Sequence, residues 1–203
     1  MSKNATGRHR LCRTLGSCIW GSPKCPSLRR AYAPGQHGPR MQRRKTSNFG
    51  LQLREKQKLR AYYGLREAQF FNTYIKASHL KGNTGENLLA LLERRLDVAV
   101  YRLYLAPTLS AARQLVLHGH VLVNGKKVDK PNFTLKPGDK VTVKDKSKAK
   151  EFVKQTVENH AGAPPAYYAF DQGLPGGSLV AVPRREDIPL PVQEHMIVEL
   201  YSR

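Results

Sequence analysis

The sequence predicts an α+β fold, in which short helices and one small, mostly antiparallel sheet follow an irregular, basic N-terminal extension. Three observations support this fold class. Apolar residues recur at helical spacing between positions 47 and 80. Short valine-containing runs flank the pair Asn124-Gly125, which is the strongest two-residue hairpin signal. Positions 1–60 hold fifteen Lys and Arg residues and one acidic residue, which gives +14 of the total net charge of +20.

Start and stop signals bound the predicted helices of the first half of the chain. Ser47 can cap a helix that ends near Tyr63, just before a glycine. A second helix is predicted over about 66–80. Asn83, with Glu86 three residues later, is typical of a capping box and predicts the start of a third helix.

A leucine-rich run that breaks near 93–95 leads into a second group of elements. Thr108 starts a short helix, and 121–123 forms a strand. After the Asn-Gly turn, Val128 opens the return strand, and 141–143 alternates with a period of two residues. This pattern predicts two helices packed on a small, mostly antiparallel sheet.

The last part of the chain is predicted to hold a helix to about Asn159, short strands over 167–170 and 178–182, and a final amphipathic helix over 192–201. The predicted organisation has four parts. They are a basic extension (1–45), a helical domain (46–93), a small module (94–157) and a C-terminal segment with short strands and a final helix (158–203).

The charge predicts a polyanionic partner, because a chain this basic repels itself unless negative charge lies nearby. Phosphate backbones are the usual polyanion, and an anionic membrane surface is the alternative. The N-terminal residues lack the apolar stretch of a signal peptide, and no run reaches the roughly 20 apolar residues of a membrane span. We therefore expect a cytosolic protein that does not span a membrane, and we expect no membrane among its partners.

Three cysteines and a histidine within the extension form a candidate metal site. His9, Cys12, Cys18 and Cys25 supply one imidazole and three thiols, a plausible tetrahedral zinc set. The extension has little apolar material, so one bound ion would supply the free energy that orders it. His37 is the rival fourth ligand, an incomplete site is a further alternative, and a disordered basic tail is the alternative to an ordered arm. No base-and-orienter pattern accompanies any cysteine, so a catalytic role is not expected.

The residues around the predicted hairpin carry a resemblance. The stretch 108–128 resembles the small RNA-binding module first seen in ribosomal protein four of the small subunit, which also occurs in tyrosyl-tRNA synthetases, pseudouridine synthases and a heat-shock RNA chaperone. Five flanking stretches resemble the bacterial or organellar form of that ribosomal protein, in the same order along the chain. They are 34–38, 51–58, 64–70, 81–89 and 199–203.

The resemblance implies a helical domain that is completed by the C-terminal segment, with the module inserted into it. It implies a non-enzymatic protein, without a small-molecule substrate, that binds a multi-helix junction in the 5′ domain of small-subunit rRNA. Early nucleation of subunit assembly and an influence on translational accuracy follow from the same resemblance. The implied partners are ribosomal protein five of the small subunit and mRNA near its entry path. The implied location is the cytoplasmic ribosome, with an organellar ribosome as the alternative.

The resemblance also bears on single residues. Some members of the family carry a four-cysteine zinc site, and Cys12 and Cys25 match it closely, whereas Cys18 matches only with a changed loop length. His9 stands where those members have the first cysteine. Leu109 replaces an arginine that often follows the capping residue of the module helix.

The predicted RNA contacts combine cations for phosphates with polar groups for hydrogen bonding or stacking. In the extension and the first long helix they are Arg29, Arg30, Gly35, Gln36, His37, Gly38, Arg40, Arg43, Arg44, Lys45, Gln52, Arg54, Lys58 and Arg60. In the module they are Ser110, Arg113, Gln114, His118, Lys126 and Lys127. The aromatic residues Phe70 and Tyr74 are assigned to the core rather than to base stacking, and of Tyr62 and Tyr63 only one can point fully inward.

Three other functions fit part of the pattern. An RNA-modifying enzyme could use the module as an anchor, but the chain lacks a recognisable nucleophile–base pair or phosphate-cradling loop. A free RNA chaperone would visit ribosomes only transiently. Charge alone would also permit a DNA-binding or membrane-surface protein.

Overall fold

The computed structural model describes residues 8–41, 46–144, 149–158, 164–171 and 175–202. The chain forms two compact units, 1–70 with 191–203, and 71–190. The helices are α1 (Arg8–Leu15), α2 (Pro26–Arg29), α3 (Gly38–Met41), α4 (Asn48–Tyr62), α5 (Glu67–Ser78), α6 (Thr84–Glu93), α7 (Leu96–Arg102), α8 (Leu109–Leu117), α9 (Ala149–Glu158) and α10 (Glu194–Tyr201). The strands are β1 (Val121–Val123), β2 (Lys126–Lys127), β3 (Lys140–Val143), β4 (Tyr168–Phe170) and β5 (Gly176–Leu179). The α+β prediction is confirmed.

The N-terminal extension is more regular than its composition indicates. It holds three short helices, α1 to α3, where the sequence analysis found no helical pattern. Helix α1 contacts both α2 and α4, so the extension packs within the first unit. The short helices were missed because Gly, Pro and Arg interrupt any apolar period.

The first unit is built on α4, which pairs with α10 from the far end of the chain. Ser47 caps α4 as predicted, since its Oγ accepts a hydrogen bond of 3.2 Å from the Gly50 N–H. Tyr63 is buried and Tyr62 is half-buried, which confirms that only one of the two points fully inward. Phe70 is fully buried and packs against the ring of Tyr201, with ring centroids 6.1 Å apart.

A carboxylate of α5 binds α4 and α10 together. Lys56 Nζ lies 2.6 Å from Glu67 Oε1, and the Tyr201 hydroxyl donates to the same oxygen at 2.8 Å. Burial alone would raise the pKa of Glu67, but the hydrogen bonds from Lys56 and Tyr201 outweigh it and lower the pKa. The ionised carboxylate therefore stabilises this part of the first unit above the ordinary glutamate pKa, and that contribution is lost as the pH falls.

In the second unit, α6 is capped by Asn83, whose Oδ1 accepts a hydrogen bond from the Gly85 N–H at 2.9 Å. The predicted break near 93–95 is confirmed, because α6 ends at Glu93 and α7 starts at Leu96. Helices α7 and α8 pack on each other beside the sheet. Their apolar side chains and those of the strands form one buried core, with Leu96, Val100, Leu115, Val116, Val121, Val141 and Leu179 among its members.

The sheet has the order β2-β1-β3-β5-β4, and every neighbouring pair is antiparallel. Both turn residues, Asn124 and Gly125, have positive φ (50° and 77°), as a two-residue hairpin requires. The return strand was predicted to open at Val128, and this is wrong by two residues. So short a turn brings Lys126 directly opposite Val123.

The last strand was predicted over 178–182, but it occupies Gly176–Leu179. A Cβ atom on Gly176 would lie 2.5 Å from the Val141 carbonyl oxygen, and one on Gly177 would lie 2.4 Å from that of Ala169. Only glycine allows the neighbouring strands to approach so closely. The sequence predicts a loop at the two glycines because they lack the β-branched side chains that are typical of strands.

A buried polar network lies at the end of α6. Arg102 donates from Nε and Nη2 to the two carboxylate oxygens of Glu93, at 2.9 and 2.6 Å. The Tyr167 hydroxyl donates to the same carboxylate at 3.0 Å, and the Tyr168 hydroxyl donates to the Glu93 carbonyl oxygen at 2.9 Å. The four residues therefore join the segment around β4 to the junction of α6 and α7.

Because of these two tyrosines, we expect the free energy of unfolding to fall at alkaline pH. Burial, followed by the charge of Glu93, raises the pKa of Tyr167 and Tyr168 above the ordinary value. Their contribution is complete below the unfolded pKa of about 10 and is lost as the pH rises above it, by up to about 1.4 kcal/mol per pH unit for each tyrosine. Urea unfolding at pH 8 and pH 11 checks this expectation. The double variant Tyr167→Phe/Tyr168→Phe should show a shallower alkaline loss, and an equal loss in both proteins would contradict it.

Candidate nucleic-acid interface and metal centre

Three of the cations predicted for the extension lie where phosphates could reach them. Arg29, the last residue of α2, and Arg30 are exposed, and so is Arg40 in α3. Arg43, Arg44 and Lys45 lie outside the described residues. Arg29 and Arg40 therefore stand on short helices of the first unit, and Arg30 directly follows one of them.

The predicted turn at 35–38 exposes the side chains of Gln36 and His37 at its apex. The Gly38 N–H donates to the Gly35 carbonyl at 3.1 Å and closes the turn. Gly38 itself is buried, and a Cβ atom there would lie 1.9 Å from the Ala33 carbonyl oxygen. The turn thus presents two polar side chains above a backbone that folds tightly on itself.

The predicted RNA contacts along α4 differ in their exposure and in their ion pairs. Arg54 is exposed. Lys58 pairs with Glu55 at 2.5 Å, and Arg60 lies 3.6 Å from a carboxylate oxygen of Glu67. An RNA phosphate would compete with those acids for Lys58 and Arg60, so Arg54 is the better placed of the three cations.

The prediction that Gln52 contacts RNA is wrong. This residue was predicted as a surface donor, but it is only 3% exposed. Gln52, Lys56, Leu59 and Tyr63 follow one another at intervals of four, three and four residues, and all are buried, so they share the inward face of the helix. Two of these four residues are polar, so the apolar periodicity of the sequence does not reveal which face of the helix points inward.

In the second unit, Thr108 caps α8 through a hydrogen bond of 3.2 Å from the Ala111 N–H to its Oγ1. Ser110 and Gln114 are exposed, and Arg113 is half-buried. The first turn of α8 therefore offers backbone N–H groups beside polar side chains, which is a favourable place for an anion. Leu109 is half-buried and brings no charge there.

The end of α8 and the hairpin that follows it add three exposed polar residues, His118, Lys126 and Lys127. The Lys127 side chain lies across Gly119, where a Cβ atom would come within 2.1 Å of its Cε. The ring of His118 lies 6.1 Å from that of His120. These groups place several donors near the start of the return strand.

The extension also brings three predicted metal ligands together. One ligand atom each of His9, Cys12 and Cys25 lies within 4.8 Å of the others. Cys12 lies within α1, and Cys25 is the N-cap residue of α2. Both thiols are buried and the imidazole is exposed. An ion held by these atoms would fasten α1 to α2.

Cys18 is half-buried and outside this group of three, and its thiol lies 3.8 Å from the Ser22 carbonyl oxygen. It still interacts with Cys25, whose pKa it lowers through a hydrogen bond. His37, the rival ligand, does not belong to the group either. The structure thus assembles three of the four predicted ligands and leaves the fourth beside them.

The two grouped thiols differ in their ionisation. Burial raises the pKa of Cys12 to about 11. Burial opposes ionisation of Cys25 as well, but hydrogen bonds outweigh it and lower its pKa to about 6, chiefly one with Ser27, whose Oγ lies 3.0 Å from Sγ. The lowered pKa favours the thiolate form of Cys25, and thiolate is the form that binds a metal.

The sequence analysis missed Arg13, which follows the ligand Cys12. Its Nε and Nη2 donate to the carbonyl oxygens of Tyr32 and Ala33, both at 3.2 Å. Its guanidinium also lies over the Tyr32 ring, 4.9 Å from the centroid. The sequence offers no signal for these contacts, because a basic residue in a basic segment looks like another phosphate ligand.

The described helices include none that is both long and apolar enough to cross a bilayer. Residues 3–93 match the family described as ribosomal protein S4/S9 N-terminal domain, and residues 94–141 match the S4 domain. The small ribosomal subunit protein uS4 of a Thermoanaerobacter strain is 50% identical over 200 residues, which cover 96% of each chain. The proteins of the same name from Phenylobacterium zucineum and Bradyrhizobium diazoefficiens are each 46% identical, over 205 and 206 residues, with complete coverage of both chains.

Proposed function

Because the chain belongs to the family of the small ribosomal subunit protein uS4, we propose that it is a constituent of the small ribosomal subunit that binds rRNA. The observation that carries this proposal is the similarity over the whole chain, at about half identity. The net charge of +20 supports it, because so large an excess of positive charge favours a polyanionic partner. The relatives are named as ribosomal proteins and not as enzymes.

The finer proposal concerns the place of the protein in the subunit. It binds a multi-helix junction in the 5′ domain of the rRNA, nucleates assembly and influences translational accuracy. Its protein partner is ribosomal protein five of the small subunit, and mRNA passes nearby at the entry path. The ribosome is cytoplasmic. The domain limits at 45/46, 93/94 and 157/158 belong to the same proposal.

The exposed cations support a binding mode through shape and phosphates. The major groove of an RNA duplex is too narrow for side chains, so the contacts fall on phosphates and 2′-hydroxyl groups. Arg29, Arg30, Arg40 and Arg54 can each engage a phosphate with two parallel hydrogen bonds. In the second unit, the first turn of α8 and the lysines of β2 serve the same purpose. Gln52 is left out because it is buried.

Replacing Arg43, Arg44 and Lys45 together by Ala should weaken binding to the 5′-domain rRNA. The slope of log K against log salt should fall by about 0.7–0.9 for each phosphate that the arm no longer neutralises, because fewer counterions are released. Filter binding between 50 and 300 mM KCl measures this slope. The control is Lys130→Ala/Lys136→Ala/Lys154→Ala, which removes the same charge from exposed positions outside the proposed interface. Equal slopes for the parent and the first variant would remove the arm from the interface.

Two further measurements separate the proposal from its rivals. A structural constituent stays at one copy per small subunit through a high-salt sucrose gradient, whereas a transient RNA chaperone is lost. Competition between the 5′-domain rRNA and duplex DNA distinguishes an rRNA-binding protein from a general polyanion binder. Displacement by DNA at equal phosphate concentration would count against the proposal.

We also propose that the extension binds one zinc ion. The donor set fits, because two buried thiols and an imidazole lie within 4.8 Å of one another and the pKa of one thiol is lowered. Cys18 completes the set after a change in its side-chain position. Metal analysis of protein purified without a chelator tests this, with about one equivalent of zinc expected. Less than about a tenth of an equivalent would refute it.

A further inference from the structure

Helix α1 carries two neighbouring residues with different tasks. Cys12 faces the proposed metal centre and is fully buried. Arg13 is half-buried and reaches across to the segment before the Gly35–Gly38 turn. A rigid helix fixes the direction of both side chains at once. Whatever holds Cys12 in place therefore also holds the base of the Arg13 side chain.

The contacts of Arg13 fix the carbonyl groups of two consecutive residues. A guanidinium is a planar fork, and two donors of the fork meet Tyr32 O and Ala33 O at the same distance of 3.2 Å. The Tyr32 ring lies beneath the fork. Together these contacts specify both the position and the orientation of the backbone at 32–33.

One of those carbonyls is also the support of the turn. The Ala33 oxygen that accepts from Arg13 lies directly against Gly38, at the point where a Cβ atom would come within 1.9 Å. Gly38 closes the turn through its hydrogen bond to Gly35. A continuous series of contacts thus leads from Cys12 through Arg13 and Ala33 to Gly38, and all of it lies within the first unit.

We propose that Arg13 is a positioning residue that couples the metal centre to the RNA-binding turn, so that the affinity of the turn for rRNA depends on the bound ion. This inference rests on the proposed function, in which Gln36 and His37 of the turn contact rRNA and the thiols bind zinc. In this arrangement the Nε and Nη2 donors of Arg13 are directed at protein carbonyls and its face covers a ring, so these contacts position the backbone rather than a phosphate.

The test compares Arg13→Ala and Arg13→Lys with the parent, in the full-length protein loaded with zinc. Arg13→Ala should lower the affinity for 5′-domain rRNA by about tenfold, keep one equivalent of zinc, and lose the hydroxyl-radical protection of the nucleotides that Gln36→Ala/His37→Ala also exposes. Arg13→Lys keeps the charge but has no planar fork, so it should behave like Arg13→Ala. Arg10→Ala is the matched control, since Arg10 is an exposed cation on the same helix, and it should leave that footprint unchanged.

Combining the variants isolates the coupling. Arg13→Ala added to Gln36→Ala/His37→Ala should cause little further loss, because both act on the same contacts. Removing zinc from the parent should expose these nucleotides together with those that other residues of the extension protect. Removing zinc from Arg13→Ala should expose no more of the nucleotides that the turn protects.

The outcomes separate the two proposals. If Gln36→Ala/His37→Ala binds rRNA like the parent, the turn is not an RNA contact and the proposed interface fails there. If that variant weakens binding but Arg13→Ala does not, the interface stands and the coupling is refuted. Full rescue by Arg13→Lys would show a direct phosphate contact, and loss of zinc from Arg13→Ala would show a role in metal binding. Either result overturns the positioning role.

Discussion

Replacing Glu93 by Gln is expected to destabilise the second unit by about 3–5 kcal/mol, because it leaves the Arg102 guanidinium buried without its counter-charge. Glu93 is fully buried and Arg102 is 8% exposed, so water cannot replace the missing interaction. The same carboxylate accepts from Tyr167, and the substitution weakens that hydrogen bond as well. A loss of this size is a large part of the stability of an ordinary domain.

Urea unfolding, followed by a probe within 71–190, measures this change. Glu151→Gln is the matched control, since Glu151 is an exposed carboxylate on α9, and a change below about 0.5 kcal/mol is expected there. Adding Arg102→Met to Glu93→Gln should recover part of the loss, because the unpaired charge is then removed. An unfolding midpoint for Glu93→Gln equal to that of the parent would show that the pair contributes little.

Replacing Cys12 by Ser is expected to remove the zinc and, with it, the order of the extension. Structural zinc sites supply about 10–16 kcal/mol of apparent binding free energy in small peptides, and that free energy folds them. The extension has few other sources of order, since Cys12 and Cys25 are the only buried apolar side chains among the described residues of 9–40. Hydrogen exchange of peptides from 8–38 should therefore speed up sharply in Cys12→Ser, and in the parent after chelation.

Peptides from α10 serve as the internal control and should exchange at the parental rate. Cys18→Ser gives a second comparison. If Cys18 becomes the fourth ligand, this variant should bind zinc more weakly than the parent and exchange faster over 8–38. Unchanged exchange after complete removal of zinc would show that the extension is ordered by its own contacts.

The sequence was most informative where a local rule decides the structure. Ser47, Asn83 and Thr108 cap helices as predicted, because a side-chain oxygen next to a helix start has a specific partner. Asn124-Gly125 predicted the hairpin for the same reason, since few residue pairs adopt positive φ at both positions. These signals depend on neighbours within three or four positions.

The sequence was least informative about features that depend on contacts between residues far apart in the chain. Gln52 lies inside because of how α4 packs, and its own neighbours in sequence carry no sign of that burial. Gly176 and Gly177 join a strand because β3 and β4 approach them from other segments of the chain. Arg13 belongs to the same class, since its acceptors lie 19 and 20 residues further on. Composition predicted that the extension and α4 are basic, but the fold determines where each charged side chain points.

The pairing of α4 with α10 has a consequence during synthesis. Gln193, at the start of α10, donates to Glu55, which was translated 138 residues earlier. In a nascent chain, the part of α4 that packs against α10 therefore stays uncovered until α10 has been synthesised. Glu93 also meets its partner late, since Tyr167, which directly precedes β4, lies 74 residues after Glu93 in the chain. Both units complete their folding late in translation. The newly made chain is therefore expected to depend on chaperones that shield its basic and apolar surface until then.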